Sequence, residues 1–365
     1  MPNRRELLKQ FAVASAWWAA QQCAGAARGD DQSRPKIKIG QIGVGHAHAS
    51  KLGVYRQSPD YEVVGIVEPD AALRAEAERD EVFRGLPWLS QEQLLATPGL
   101  QAVLVETRVP DLLNAAEAAI AAGKHVHLDK PAGESLTQYR RILDAAARQK
   151  LLVQMGYMYR YNPGMVMLRD FLARGWLGDV FEVHAVMSKV VPPQQRRELA
   201  TFPGGIMFEL GCHVIDLVLG VLGPPEKVTS FARHTAAADD KLLDNMLAVF
   251  DYPKATATVN SSAIEVEGGE RRQLVVCGTE GTFQVQPLDN PRARVALSRE
   301  RGTYRKGYQD VAYPKYTRYV ADAADMTRII RGEKASDFSY AHDLAVQTTL
   351  LKACGLPVDD KSAAG

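Results

Sequence analysis

The chain has 365 residues, of which 46% are apolar and 24% charged, and a formal net charge of +1. That length suits two domains of ordinary size, and the composition excludes a disordered chain, a membrane-embedded chain and a nucleic-acid binder driven by charge. The four cysteines, Cys23, Cys212, Cys277 and Cys354, lie far apart with no CxxC pair, so neither a disulfide framework nor a metal site is expected.

At the N-terminus, Asn3-Arg4-Arg5-Glu6-Leu7-Leu8-Lys9 precedes an apolar stretch from Phe11 to Ala20 and the small residues Ala24-Gly25-Ala26-Ala27. This is the order of a cleaved signal peptide, and the apolar run is too short for stable membrane insertion. The string RRELLK resembles the twin-arginine export signal. Residues 1–27 are therefore expected to be a signal, 28–35 a linker, and the mature protein periplasmic or otherwise exported. Cleavage after Ala27 leaves 41 basic and 42 acidic residues, close to neutrality.

The strand-like run Lys36 to Ile42 leads directly into Gly43-Val44-Gly45-His46-Ala47-His48, and a helical pattern follows from about His48 to Gln57. Strand, glycine turn and helix in that order point to a dinucleotide site: Gly43 for the tight turn, Gly45 for close approach of a pyrophosphate. His48 stands where a third glycine is usual, and His46 and His48 both fall near the expected pyrophosphate. A second strand, Tyr61 to Val67, ends in Glu68, placed to accept hydrogen bonds from ribose hydroxyls. A carboxylate there repels a 2′-phosphate, which favours NAD over NADP. Further along come a capping box at Ser90 and Gln93, a strand from Gln101 to Glu106, and a helix from Pro110 to Ala122 closed by Gly123. Lys124 to Leu128 is the next strand. This alternation predicts an α/β Rossmann domain, a doubly wound parallel sheet over 36–155.

The last of these strands runs Gly123-Lys124-His125-Val126-His127-Leu128-Asp129-Lys130-Pro131. Here the sequence resembles the glucose–fructose oxidoreductase and inositol dehydrogenase (Gfo/Idh/MocA) family, with Asp129 where the family has glutamate in its Glu-Lys-Pro signature. The resemblance implies that Lys130 lies beside the nicotinamide and the reacting carbinol. A second match is Gly204-Gly205-Ile206-Met207-Phe208-Glu209-Leu210-Gly211-Cys212-His213-Val214-Ile215-Asp216. It implies that Glu209 (aspartate in the family) and His213 face the substrate, with Asp216 nearby. Spacings of four and seven put these residues on one helix face. Met155 to Pro163 is similar to the family's interdomain crossover, which makes Tyr157, Arg160 and Asn162 candidate substrate contacts. Pro110-Asp111-Leu112 lacks the histidine that the family often carries in that region.

The second half alternates β-rich runs with turns: Val180 to Val190, Lys227 to Arg233, Asn245 to Asp251, Thr256 to Ile264, Gln273 to Gly278 and Gly281 to Val285. Their period-two patterning predicts a C-terminal α+β domain over 156–335 with a large, mainly antiparallel open sheet. Tyr316 to Ile330 and Ala341 to Ala353 read as helices, the second in a C-terminal segment over 336–365. The resemblance implies a homo-oligomer.

NAD-linked oxidation of an alcohol needs a hydride acceptor, a base for the hydroxyl proton and charge stabilisation at the developing alkoxide. Lys130 and His213 fill the last two roles, and the expected function is an NAD(P)-dependent oxidoreductase acting on a sugar or polyol carbinol. Two alternatives stand beside it. One is an NAD-dependent glycosidase, which oxidises a sugar transiently and shows no net redox change. The other is a non-catalytic dinucleotide or sugar binder in which Asp129 and Glu209 mark a decayed site. An enzyme of this kind outside the cytoplasm would have to retain its cofactor and regenerate it in place.

Overall fold

Five parallel strands, β1 (Ile37–Ile42), β2 (Tyr61–Val67), β3 (Leu100–Val105), β4 (His125–Leu128) and β5 (Val153–Met155), form one sheet in the order β2-β1-β3-β4-β5. The computed structural model describes residues 34–313 and 315–358; the expected export signal over 1–27 lies outside them. Every residue of β3 except Gln101 is buried, the mark of a strand covered on both faces. On one face Ile37, Ile39, Ala102 and Leu104 share a core with Leu52, Tyr55, Ala323 and Met326. On β3 and β4 also packs the helix Leu112–Ala121, which in turn meets the helix Leu136–Gln149. In this strand order the connections diverge between β1 and β3, so the crevice outside their carboxyl ends is the place for a ligand.

The local signals hold with small shifts. Ser90 and Gln93 make a reciprocal capping box, with Ser90 N donating to Gln93 Oε1 at 2.8 Å and Gln93 N to Ser90 Oγ at 3.2 Å. The helix expected from His48 starts as a 3₁₀ turn, Ala49–Lys51, before becoming α-helical over Leu52–Gln57. The helix Leu136–Gln149 and the strand β5 carry no expectation from sequence; a three-residue strand is too short for a period to declare itself.

The dinucleotide unit is not continuous in sequence. Among the described residues it comprises 34–157 and 318–340, while 158–317 and 341–358 make the second unit. The sequence alone places 318–335 in the second domain. That segment folds with the first because the helix Val320–Ile330 supplies Ala323 and Met326 to its core, and because Tyr61 OH donates to Ala323 O at 2.8 Å.

The second unit holds an eight-stranded sheet: β6 (Val180–Val186), β7 (Lys227–Arg233), β8 (Asn245–Tyr252), β9 (Ala255–Ser262), β10 (Gln273–Gly278), β11 (Gly281–Val285), β12 (Ala293–Leu297) and β13 (Gly307–Val311). Their order is β13-β12-β11-β10-β6-β9-β8-β7, and every neighbouring pair is antiparallel except β6 with β9. Met246, Ala248 and Phe250 of β8 and Ala257 and Val259 of β9 alternate into one buried face. The helix Cys212–Leu222 packs on β6 and β9 and against the helix Pro163–Ala173. This is the Rossmann-plus-antiparallel architecture expected from the sequence. No helix among the described residues is long and apolar enough to cross a membrane.

Candidate active site

Gly43 ends β1 with φ at +90°, and a Cβ there would stand 2.5 Å from both Cα and N of Thr107, just beyond β3. No other residue fits that turn. Gly45 is less constrained: the nearest atoms to a Cβ there are of side chains, Arg108 Cγ at 3.0 Å and Leu73 Cδ1 at 3.1 Å, with backbone N of Arg108 at 3.5 Å. Glu68 closes β2 as expected, and its carboxylate is fixed by two backbone donors, Val44 N at 2.9 Å and Asp70 N at 3.0 Å. Each oxygen keeps a further lone pair for a ribose hydroxyl. A cavity of about 540 Å³ opens beside these groups, lined by Gly43, Glu68, Asp70, Thr107, Arg108 and Asn114. A turn with no side chain over its backbone, an acceptor at the next strand end and a cavity of this size fit a dinucleotide.

A buried charged cluster adjoins the turn. The Lys51 ammonium lies 2.6 Å from Asp129 Oδ2, 3.0 Å from Glu106 Oε1 and 2.9 Å from His127 Nε2. It also sits 5.1 Å from the centre of the Tyr319 ring, a cation–π distance. Asp129 Oδ1 accepts from Lys130 N at 2.6 Å and lies 3.2 Å from His48 Nδ1, while His46 Nδ1 is 3.3 Å from Asp129 Oδ2. His46 Nε2 reaches the carbonyl of Lys130 at 3.0 Å. A carbonyl only accepts, so His46 Nε2 carries a hydrogen and donates it. By the same logic His127 Nε2 accepts from Lys51, and its Nδ1–H donates to Gln154 Oε1 at 2.9 Å.

The protonation states follow from this packing. Burial pushes His127 down to about 3, helped by the Lys51 charge, and pushes His48 down to about 4 against the pull of Asp129. Burial, then the neighbouring Asp129 charge, drives Glu106 well above the usual carboxylate range. Burial acts on Asp129 in the same sense, but His46, Lys51 and His48 outweigh it and hold that carboxyl well below the usual range. For Lys51 the desolvation is overcome by Asp129 and Glu106, which raise it above the ordinary ammonium value. Asp129 is thus ionised against the Lys51 ammonium, while Glu106 is protonated.

In the second unit, Glu209 lies in a π-helical turn, Met207–Gly211, that runs into the helix Cys212–Leu222 carrying His213 and Asp216. A π turn bonds i to i+5, so Glu209 and His213 do not stack one above the other as an α-helix would place them. Such turns concentrate at functional sites. The His213 ring packs edge-on to Tyr159, 5.8 Å between centres, and Tyr159 OH donates to Asp289 Oδ1 at 2.7 Å. Asp289 is in turn paired with Arg272 at 2.5 Å.

Residues 37–157 match the model of an oxidoreductase family with an NAD-binding Rossmann fold, and residues 165–284 match the GFO/IDH/MocA C-terminal domain. The chain belongs to the GFO/IDH/MocA oxidoreductase family. It is 26% identical over 255 residues to trans-1,2-dihydrobenzene-1,2-diol dehydrogenase of Macaca fuscata fuscata, covering 68% of this chain and 74% of that protein. To inositol 2-dehydrogenase of Agrobacterium fabrum it is 27% identical over 253 residues, covering 67% and 72%. Among solved structures, GenD2 from gentamicin A biosynthesis, in complex with NAD, shares the fold with a TM-score of 0.73 at 21% identity, over 91% of this chain and 97% of that one. This family member is therefore an NAD(P)-dependent oxidoreductase.

Three of the expected substrate residues have interior partners. Arg160 is 2% exposed and grips Asp216, with Nη2–Oδ1 at 2.6 Å and Nε–Oδ2 at 3.1 Å, and also reaches Asp343 at 2.5 Å. His342 Nε2 completes that group, 3.0 Å from Asp216 Oδ1. Burial pushes Asp216 upward, but Arg160 and His342 prevail and hold it at about 2. Asn162 caps the helix Pro163–Ala173, accepting from Gly164 N at 2.9 Å, and donates to Leu288 O at 2.7 Å. Tyr157 is buried two residues past β5. His46 and His48, expected at the pyrophosphate, turn their rings to Asp129. Lys51, Glu106, His127 and Tyr319 were not picked out in the sequence at all.

Among the described residues two clusters, His46 with His48 and Asp129, and Asp216 with His342 and Asp343, bring donor atoms close enough to share an ion. In the first the Lys51 ammonium already pairs with Asp129, and in the second the Arg160 guanidinium bridges the two carboxylates of Asp216 and Asp343. The buried neutral His127 has a measurable signature. Its folded value near 3 lies below the ordinary 6.5, so the unfolded chain binds a proton that the fold excludes. Its contribution to stability is complete above about pH 6.5 and falls as the pH drops toward 3. In urea unfolding, His127→Gln is expected to flatten the pH dependence between about pH 6 and 4 by roughly one proton, ~1.4 kcal/mol per pH unit. An unchanged slope would mean that His127 does not fold as a buried neutral imidazole.

Proposed function

We propose that this oxidoreductase oxidises a secondary carbinol of a cyclic diol, polyol or sugar with NAD, using Lys130 to stabilise charge and His213 to take the proton. The observation that carries the reading is Lys130: it leaves the carboxyl end of β4, where such sheets bind ligands, with its own peptide fixed by Asp129 and by a histidine of the glycine turn. The diol and inositol dehydrogenases among its relatives agree in substrate class. When bound, the nicotinamide supplies the hydride acceptor. The Lys130 ammonium stabilises charge developing on the substrate oxygen, and the His213 imidazole takes the hydroxyl proton. Glu209, on the π turn before His213, orients the substrate or the ring. Tyr157 lies on the segment that leads to these groups and is proposed as a substrate contact.

A panel of trans-1,2-dihydrobenzene-1,2-diol, myo-inositol and aldoses, read by fluorescence of the reduced nicotinamide, is expected to reveal net oxidation. On the best substrate, Lys130→Met and His213→Ala should each lose at least about 10² in turnover while keeping NAD affinity, and Glu209→Ala should lose less. Wild-type rates in both variants would sink the assignment. Cleavage of a glycoside with no net reduced cofactor would replace it with the redox-neutral alternative.

The choice of NAD rests on Glu68, whose carboxylate is held rigidly at the β2 end and would oppose a 2′-phosphate. Titration of both cofactors is expected to show wild type preferring NAD, and Glu68→Ala narrowing that preference. Tighter binding of NADP to wild type would overturn the reading.

Export through the twin-arginine route and assembly as a homo-oligomer belong to the same proposal, the first carried by Arg4-Arg5 ahead of the apolar run Phe11 to Ala20. Replacing Arg4 and Arg5 with lysine should strand the precursor in the cytoplasm, whereas unchanged recovery of mature oligomer outside it would defeat the export reading.

A further inference from the structure

We infer that His46 is a positioning residue for Lys130, tying the dinucleotide turn to the peptide from which the reactive amine projects. The inference rests on the reading of Lys130 as the ammonium that stabilises charge on the substrate oxygen. Lys130 lies past the end of β4, beyond the sheet ladder, where backbone groups have no strand partner by default. Side chains hold its backbone instead: Asp129 Oδ1 accepts from its N–H at 2.6 Å, and His46 Nε2–H donates to its carbonyl at 3.0 Å. His46 is itself anchored through its main chain, whose N–H donates to Glu106 O at 3.0 Å beyond β3. One residue thus joins the ends of three strands, β1 through the turn, β3 through its amide and β4 through its ring.

The turn itself does not demand a histidine here. What it requires is glycine at 43, where a Cβ would strike Thr107. An imidazole with 4% of its side chain exposed is costly to bury unless its polar atoms are used. Both are: Nε2 on Lys130 O, and Nδ1 accepting from His48 N at 3.2 Å beside Asp129. The functional demand comes from the lysine stem, a long flexible chain whose ammonium moves with any rotation of its backbone. Displacing a reactive group by about 1 Å costs on the order of 10² in rate.

The test compares three substitutions. Gln carries a donor to roughly where Nε2 lies, Asn is one methylene too short, and Leu has no donor. In the cofactor-free protein, His46→Leu and His46→Asn are expected to speed amide hydrogen exchange in the peptide spanning 129–134, and His46→Gln to restore protection. On the substrate chosen by the panel, Leu and Asn should lower kcat by roughly 10–10² with KM and the NAD dissociation constant within about threefold, and Gln should recover most of it. Should His46→Leu fail to fold, the Asn–Gln contrast decides. Unchanged exchange and kcat in Leu and Asn, or a Gln variant as poor as Leu, overturns the inference. So does loss of NAD affinity in step with kcat, which would assign the ring to the turn alone. Lys130→Met run alongside separates the two readings: an inactive Lys130→Met with normal His46 variants removes only the inference, whereas a Lys130→Met at wild-type rate removes the site on which it rests.

Discussion

Asp129 is the interaction on which the rest of the site depends. Its two oxygens stand within 3.3 Å of four nitrogens drawn from distant parts of the chain, those of His46, His48, Lys51 and Lys130. A second carboxyl, Glu106, shares the same lysine, and two carboxylates so close cannot both stay ionised out of water. One cation and one proton resolve the conflict, and the result fixes the glycine turn and the start of the lysine segment together. The short side chain at 129 belongs to this arrangement. Gly156 packs against it so closely that a Cβ there would lie 3.0 Å from Asp129 Oδ1. The shorter acid is met by a buried lysine, Lys51, whose ammonium lies 2.6 Å from it. Asp129 is therefore fully engaged, which argues against a decayed remnant.

The fold was legible because it is written locally. The apolar run of β3, the glycine after β1, the capping box at Ser90 and the period-two strands of the second sheet all act within a few residues. The dinucleotide cavity and Glu68 follow from that order. The charged cluster was not legible, because Lys51 and Asp129 are separated by 78 residues and nothing in either neighbourhood names the other. The Arg160 network hid for the same reason: its partners Asp216 and Asp343 are 56 and 183 residues away. Asn162 is a different case, since asparagine followed by proline before an apolar run is a helix-start signal, and that reading would have given its capping role directly. A resemblance to the crossover of a known family drew attention to the substrate instead.

Tyr159 shows what separates sequence from site within a single short segment. It stands between Tyr157 and Arg160, in a run already singled out, yet it is Tyr159 whose ring meets His213 and whose hydroxyl is held by Asp289. Alternation along that run does not distinguish the aromatic side chains; the partners at 213 and 289 do. The π turn before His213 is similarly invisible, because i to i+5 bonding leaves no residue signature in Met207–Gly211.

The helix Val320–Ile330 has a consequence for how the molecule is made. Because 318–340 completes the core begun by 34–157, the described chain crosses between the two units three times, after 157, 317 and 340. A ribosome that has released the glycine turn and all five parallel strands has still not delivered Ala323 and Met326, which fill the core beside Leu52 and Tyr55. The cofactor half therefore cannot close until most of the other half has been synthesised. Neither half is a portable module: cutting the gene at the end of β5 would yield a sheet with part of one face uncovered, and exchanging cofactor units between relatives would need two separate stretches moved together.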